Sequence, residues 1–98
     1  MGAFHLTGAA KSDLKDIGRY TQKQWGAAQR DQYLTMLDEC FQDLAAHPLK
    51  GRDCSDIRAG YRKYGVGSHV IFYRQVADDA IEVVRILHSR MDVERRLS

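Results

Sequence analysis

The sequence predicts an α+β domain: an antiparallel sheet with an N-terminal helical hairpin packed on one face, in the order β-α-α-β-β-β. Three observations carry this. Apolar side chains recur at three- and four-residue steps through the first half of the chain. β-Branched and aromatic residues crowd short runs in the second half. Pro48, the only proline, divides the two textures. The 98 residues make one domain, 1–98, with room for a single modest core.

Each element has a local reason. Ala3–Leu6 is a short apolar run that reads as a strand pairing at a sheet edge. Thr7 follows it and can cap a helix, its hydroxyl accepting from a free N–H of the first turn. Ala10, Leu14, Ile17, Thr21 and Trp25 then trace one helical face, with Asp13 and Asp16 early and Lys23 late, as the helix dipole favours. Gly26 suits the left-handed stop. A second helix starts almost at once, on the wide stripe of Tyr33, Leu34, Leu37, Cys40, Phe41, Leu44 and Ala45, and Pro48 ends it. So short a link makes the two helices an antiparallel hairpin. Beyond the loop of Gly51, Asp53 and Ser55, three strands are expected at Asp56–Tyr61, Gly67–Val76 and Ala80–His88. Turns are expected at Gly65 and Gly67 and at Asp78-Asp79, and the tail Ser89–Ser98 reads as polar.

Composition excludes several classes. Hydrophobic residues are 44% and charged residues 29%, values of a folded domain and not of a disordered tail. No apolar run approaches the roughly 20 residues that span a bilayer. The first residues lack the basic and apolar regions of a secretory signal. Two cysteines, Cys40 and Cys54, are too few for a disulfide scaffold, so a reducing cytoplasm is the expected setting. His5, His47, His69 and His88 are scattered, and no metal-ligand spacing is present. The net charge of +2 is unevenly spread: residues 50–74 hold 6 basic and 2 acidic side chains, so +4. A basic central segment suits an acidic protein or nucleic acid, and equally a solvated sheet edge.

The motifs of nucleophilic, phosphate-cradling and metal-dependent catalysis are missing. Cys40 falls on the apolar stripe and reads as a core residue. Cys54 has Arg52 and Arg58 close in sequence, which would lower a thiol pKa, but no base accompanies it. Cleavage of RNA needs a base, an acid and cations for the developing phosphorane charge. His69, His88, Arg62, Arg74, Arg85, Tyr61 and Tyr73 supply those types. Strand alternation puts Arg85 and His88 on opposite faces, so the set does not obviously converge. Tyr20, Trp25, Tyr33, Tyr61, Tyr64 and Tyr73 are more aromatics than a small core hides, and tyrosine with arginine is the chemistry of protein interfaces.

Four segments then carry a resemblance: DLKDIGRYTQKQWG, YLTMLDECFQDLAAHPLKGR, DIRAGYRKYGVGSHVIFYR and VVRILHSRMD. Together they resemble the ParE toxins of bacterial toxin–antitoxin modules, within the wider RelE/ParE superfamily. The likeness runs in order from about Leu6 to about Asp92. Its most specific parts are Gly51-Arg52, the run Asp56–Arg62, His69 with Ile71–Arg74, and Arg85–His88 with Arg90–Asp92.

The resemblance implies the same β-α-α-β-β-β order. It implies a cytoplasmic bacterial toxin of a plasmid- or chromosome-stabilising module, which poisons DNA gyrase by binding it, without catalysis and without a cofactor or metal. It implies a ParD-like antitoxin whose C-terminal segment lays a helix on the hairpin and runs on over the sheet, giving a hetero-oligomer. Direct specific nucleic-acid binding by this chain is not expected, nor is membrane association. Tyr20, Trp25 and Tyr33 would flank the hairpin groove, while Arg58, Arg62, Arg74 and Arg85 would receive antitoxin carboxylates. His88, Arg90, Met91, Asp92, Arg95 and Arg96 form the candidate surface for gyrase. RelE-like relatives are ribosome-dependent mRNA endoribonucleases on the same fold, the alternative reading. Their pattern includes a C-terminal tyrosine, and this chain has none after Tyr73.

Overall fold

A computed structural model describes residues 2–90 of the chain. A first strand, β1 (Ala3–Leu6), leads into the helices α1 (Gly8–Trp25) and α2 (Ala27–Ala46). Four strands follow: β2 (Arg52–Asp53), β3 (Tyr61–Val66), β4 (His69–Ala77) and β5 (Ala80–His88). They form one sheet in the order β1-β5-β4-β3-β2. The helices lie on one face, as expected. The sheet is mixed, because β1 pairs parallel to β5 while the other three pairings are antiparallel.

Local chemistry explains the helix ends. Thr7 caps α1, its hydroxyl oxygen accepting from Ala10 N–H at 3.0 Å. Gly26 alone separates the helices, at φ +93°, a conformation that side chains resist. Its N–H donates to the Gln22 carbonyl and closes the last turn of α1.

The core lies between hairpin and sheet. Ala10 and Ile17 of α1 and Leu37, Phe41, Leu44 and Ala45 of α2 pack with Ile71, Tyr73, Ile81, Val83 and Ile86. A second cluster covers the opposite side of the sheet, where Cys54, Phe72 and Leu87 are buried with Ile57, Tyr61 and Val70 around them. That second cluster corrects the expected strand at Asp56–Tyr61. The segment is instead a turn that closes on itself. The Cys54 carbonyl accepts from Ile57 and Arg58, and Cys54 N–H donates to the Tyr61 carbonyl. Gly60, at φ +81°, turns the chain into β3. Burying Ile57 and Cys54 over Phe72 outweighs extending a strand whose only large apolar residue before Tyr61 is Ile57.

Two smaller expectations also shift. Gly65 lies inside β3, and the β3–β4 turn is Gly67-Ser68. Gly67 adopts φ +57°, and a Cβ there would stand 2.7 Å from the Tyr33 hydroxyl. The two-residue strand β2, not expected, comes from Arg52 and Asp53 pairing with Lys63 and Arg62.

Tyr73 shows how the loop after α2 is pinned. It is fully buried, and its hydroxyl donates to the Pro48 carbonyl at 2.9 Å and accepts from Gly51 N–H at 2.8 Å. Gly51 is required by the same contact, since a Cβ there would lie 2.3 Å from that hydroxyl. Tyr73→Phe removes both bonds and leaves two backbone groups unpaired. It is expected to cost about 1–3 kcal/mol in urea unfolding. An unchanged midpoint would show that the strap holds without this tether.

Candidate functional site

Two surfaces and one polar cluster emerge from this frame. The first surface is a groove of about 680 Å³ between the helices, bordered by β1. Leu14 and Gly18 of α1, Leu34 and Phe41 of α2, and Phe4 and Leu6 of β1 make its apolar lining. Lys15, Arg19 and Arg30 stand at its rim with Asp31 and Asp38. Gly18 is buried in mid-helix, and a Cβ there would meet Leu34 Cδ1 at 3.6 Å, an ordinary van der Waals contact. Sequence reasoning placed Tyr20, Trp25 and Tyr33 at the groove, none of which is among its lining residues, and missed the residues that do line it, because they look like ordinary core.

Of the expected aromatics, Trp25 and Tyr20 are the exposed ones, at 73% and 64%. Tyr33 is half-buried and turned to another task. Its hydroxyl lies 2.7 Å from His69 Nδ1 and accepts from Ser68 N–H at 3.1 Å, tying α2 to the β3–β4 turn.

The arginines expected on the sheet are largely engaged within the chain. Arg85 makes a forked pair with Asp13, Nε to Oδ2 at 2.8 Å and an Nη to Oδ1 at 2.9 Å. Asp13 Oδ2 also accepts from Ile86 N–H at 2.9 Å. The reason is a β-bulge: the β4–β5 register steps from Phe72↔Arg85 to Tyr73↔Val83, leaving Val84 unpaired. The freed groups find partners on the α1 entry, Val84 carbonyl with the Thr7 hydroxyl and Ile86 N–H with Asp13. Asp13, read from sequence as a dipole-complementing charge, is thus the clasp between α1 and β5. Burial and this hydrogen-bonded partner act oppositely on Arg85, and the hydrogen bond prevails, raising its pKa.

Arg74 donates to Glu82 at 2.8 Å, and His5 meets the other Glu82 oxygen at 2.9 Å. Arg74 first, then His5, hold the Glu82 carboxyl below its ordinary pKa. Arg62 donates to the Gly51 carbonyl at 2.8 Å. Arg58 stands over the Tyr61 ring, 5.9 Å from its centre. The exposed Arg90 donates its N–H to His88 Nδ1 at 3.2 Å. Met91, Asp92, Arg95 and Arg96 lie outside the described residues.

Expectations about the cysteines divide. Cys40 is partly buried against the core, as its place on the stripe implied. Cys54 is buried, and that burial pushes its thiol pKa up, against the expectation that nearby arginines lower it. Among the described residues no group of three or more potential metal ligands occurs.

His69 and His88 are cross-strand partners with rings 5.5 Å apart, edge to face. Burial, and secondarily His88, lower the His69 pKa. A histidine with a depressed folded-state pKa contributes stability that is present above its unfolded pKa of about 6.5 and is lost as pH falls through the folded value. The unfolding midpoint is therefore expected to fall between pH 7.5 and 5, and His69→Phe to flatten that fall. An identical pH profile in the variant would assign the dependence to other groups.

Comparison with known proteins agrees with this architecture. The family model described as ParE toxin of type II toxin-antitoxin system, parDE, matches residues 4–93. The chain is 47% identical over 92 residues to Toxin ParE1 of Mycobacterium tuberculosis, covering 94% of each. It is 38% identical over 98 residues to Toxin ParE of Escherichia coli, covering all of this chain and 95% of that one. Among solved structures, the chromosomal ParDE system of P. aeruginosa superposes with a TM-score of 0.73 at 19% identity, over 90% of this chain and 95% of that one. The RelBE2 toxin–antitoxin complex of M. tuberculosis follows at 0.63, also at 19% identity, over 89% and 96%. At such identity these structures bear on the fold alone.

Proposed function

The chain belongs to the ParE toxin family of type II toxin–antitoxin systems, and from that premise we propose that it inhibits DNA gyrase by binding it and is silenced by a ParD-like antitoxin. The observation that carries the non-enzymatic reading is the commitment of the side chains that cleavage would need. An acid, a base and free cations must converge on one phosphate. Here His69 Nδ1 faces the Tyr33 hydroxyl, Arg85 is paired with Asp13, Arg74 with Glu82, and Arg62 with a backbone carbonyl. Side chains so engaged favour a binding surface over a reaction centre.

The antitoxin reading rests on the groove. An amphipathic helix buries its apolar stripe in such a channel, and Leu14, Leu34 and Phe41 offer the matching wall. Trp25 and Tyr20 supply further exposed apolar area on α1. Arg58, Arg62 and Arg74 remain the proposed receivers of antitoxin carboxylates as the segment crosses the sheet, with Tyr33 and Arg85 holding the scaffold beneath it. The assembly is then a hetero-oligomer of the bacterial cytoplasm. Among the described residues no helix is long and apolar enough to cross a membrane. His88 and Arg90, with Met91, Asp92, Arg95 and Arg96, are proposed to engage gyrase.

Supercoiling and cleavage assays with purified gyrase test the reading, with ribosome-bound message as substrate in parallel. Inhibited gyrase with intact message is the expected result. Cut message with unaffected gyrase would move the chain to the endoribonuclease branch of the superfamily. Removing residues 90–98 is expected to eliminate inhibition and leave antitoxin affinity unchanged. Equal loss of both would refute the division of surfaces.

A further inference from the structure

At the sheet edge opposite β1, two like charges face each other. Arg52 of β2 and Lys63 of β3 are register partners. Residues directly opposite in an antiparallel pair sit on one face with Cβ atoms about 5 Å apart, and like charges there are destabilising. Among the described residues neither side chain has an ion-pair partner. Both line a concavity of about 580 Å³ with Lys50, Tyr64, Gly65 and Val70. Lys50 is paired with Asp43, and its ammonium lies 5.4 Å from the centre of the Tyr64 ring. The floor is open at Gly65, where an added Cβ would meet nothing within 4 Å.

We propose that this concavity binds the phosphodiester backbone of duplex DNA, with Arg52 and Lys63 sharing a phosphate between them. A bound phosphate turns their mutual repulsion into two attractions. Backbone contact, and not base reading, follows from the lining: the one aromatic ring carries Lys50 over it and offers no face for an unstacked base, the usual device of single-strand recognition. Contact of this kind is sequence-independent, consistent with the absence of specific nucleic-acid binding expected from the sequence. The helical groove borders β1 at the other edge of the sheet. The inference does not depend on gyrase being the target.

The test is fluorescence anisotropy of the full chain with a short labelled duplex across a salt series. Arg52→Gln and Lys63→Gln are each expected to weaken binding and to lower the slope of log K against log salt by about one. Lys23→Gln removes the same charge from the exposed surface of α1 and is expected to leave the slope unchanged. Gly65→Val fills the floor without altering charge and is expected to weaken binding, with circular dichroism reporting a native fold. The proposal is overturned if Lys23→Gln acts like Lys63→Gln, if Gly65→Val binds as the parent does, or if wild-type affinity is unmeasurable at low salt. Preference for single-stranded RNA, or displacement of the duplex by polyglutamate at equal charge, would likewise replace the duplex with another ligand.

Discussion

Replacing Leu37 with alanine is expected to destabilise the domain by about 2–5 kcal/mol. Leu37 is fully buried in the middle of α2, within the cluster that joins both helices to β4 and β5. Truncation removes the transfer free energy of three carbons and leaves a cavity that helices anchored at Gly26 and Pro48 cannot easily collapse. Alanine is the better helix former, so local propensity opposes the effect by only a few tenths of a kcal/mol. Thermal unfolding reads it directly, at roughly 4–8 °C per kcal/mol for a chain of this size. A loss under about 1 kcal/mol would place Leu37 among surface residues and contradict the packing.

Asp13→Ala is expected to cost about 3 kcal/mol, although Asp13 is itself no member of the apolar core cluster. Its carboxylate is 12% exposed and the Arg85 side chain 21%, so water screens the pair poorly. Removing the carboxylate takes the forked partner from a largely buried guanidinium and leaves the Ile86 N–H without its acceptor, the situation in which breaking a pair is costly. The cost of the charge, unlike that of the N–H, can be relieved by a second change. Arg85→Met in the Asp13→Ala background is expected to recover part of the loss, since an apolar chain of similar length needs no counter-charge. Urea midpoints with an unchanged m-value measure both steps. A cost below about 1 kcal/mol for Asp13→Ala would rank the pair with ordinary surface salt bridges.

These two residues mark how far the sequence could be read. Leu37 announces itself, because i, i+3, i+4 spacing from Tyr33 to Ala45 has one physical meaning: an amphipathic helix with that face inward. The same local logic found Ala3–Leu6 and Ala80–His88 as strands, Thr7 and Gly26 as helix boundaries and Pro48 as the end of α2. Asp13 does not announce itself. Its partner lies 72 residues away and is reached only because a bulge at Val84 disrupts the pairing. Period-2 patterning contains no term for one extra residue.

The candidate site divides in the same way. Exposed Trp25 and Tyr20 were identifiable by type. The groove between the helices was not, since Leu14, Leu34 and Phe41 carry the spacing of buried residues and become a channel only where the two helices and β1 meet. The segment Asp56–Tyr61 misled for the converse reason. Its turn is chosen by a hydrophobic cluster assembled from Phe72 and Leu87, far along the chain. The sequence by itself determined the helical hairpin, the two long strands, the boundaries between them and the family, because propensity, periodicity, caps and motifs act between neighbours. Only the tertiary structure decided the parallel pairing of β1 with β5, the clasp of Asp13 on Arg85, the service of Tyr33 to His69 and the facing charges of Arg52 and Lys63. Each of these depends on which distant segments come to share a surface, and that is settled by burial of the whole apolar set at once.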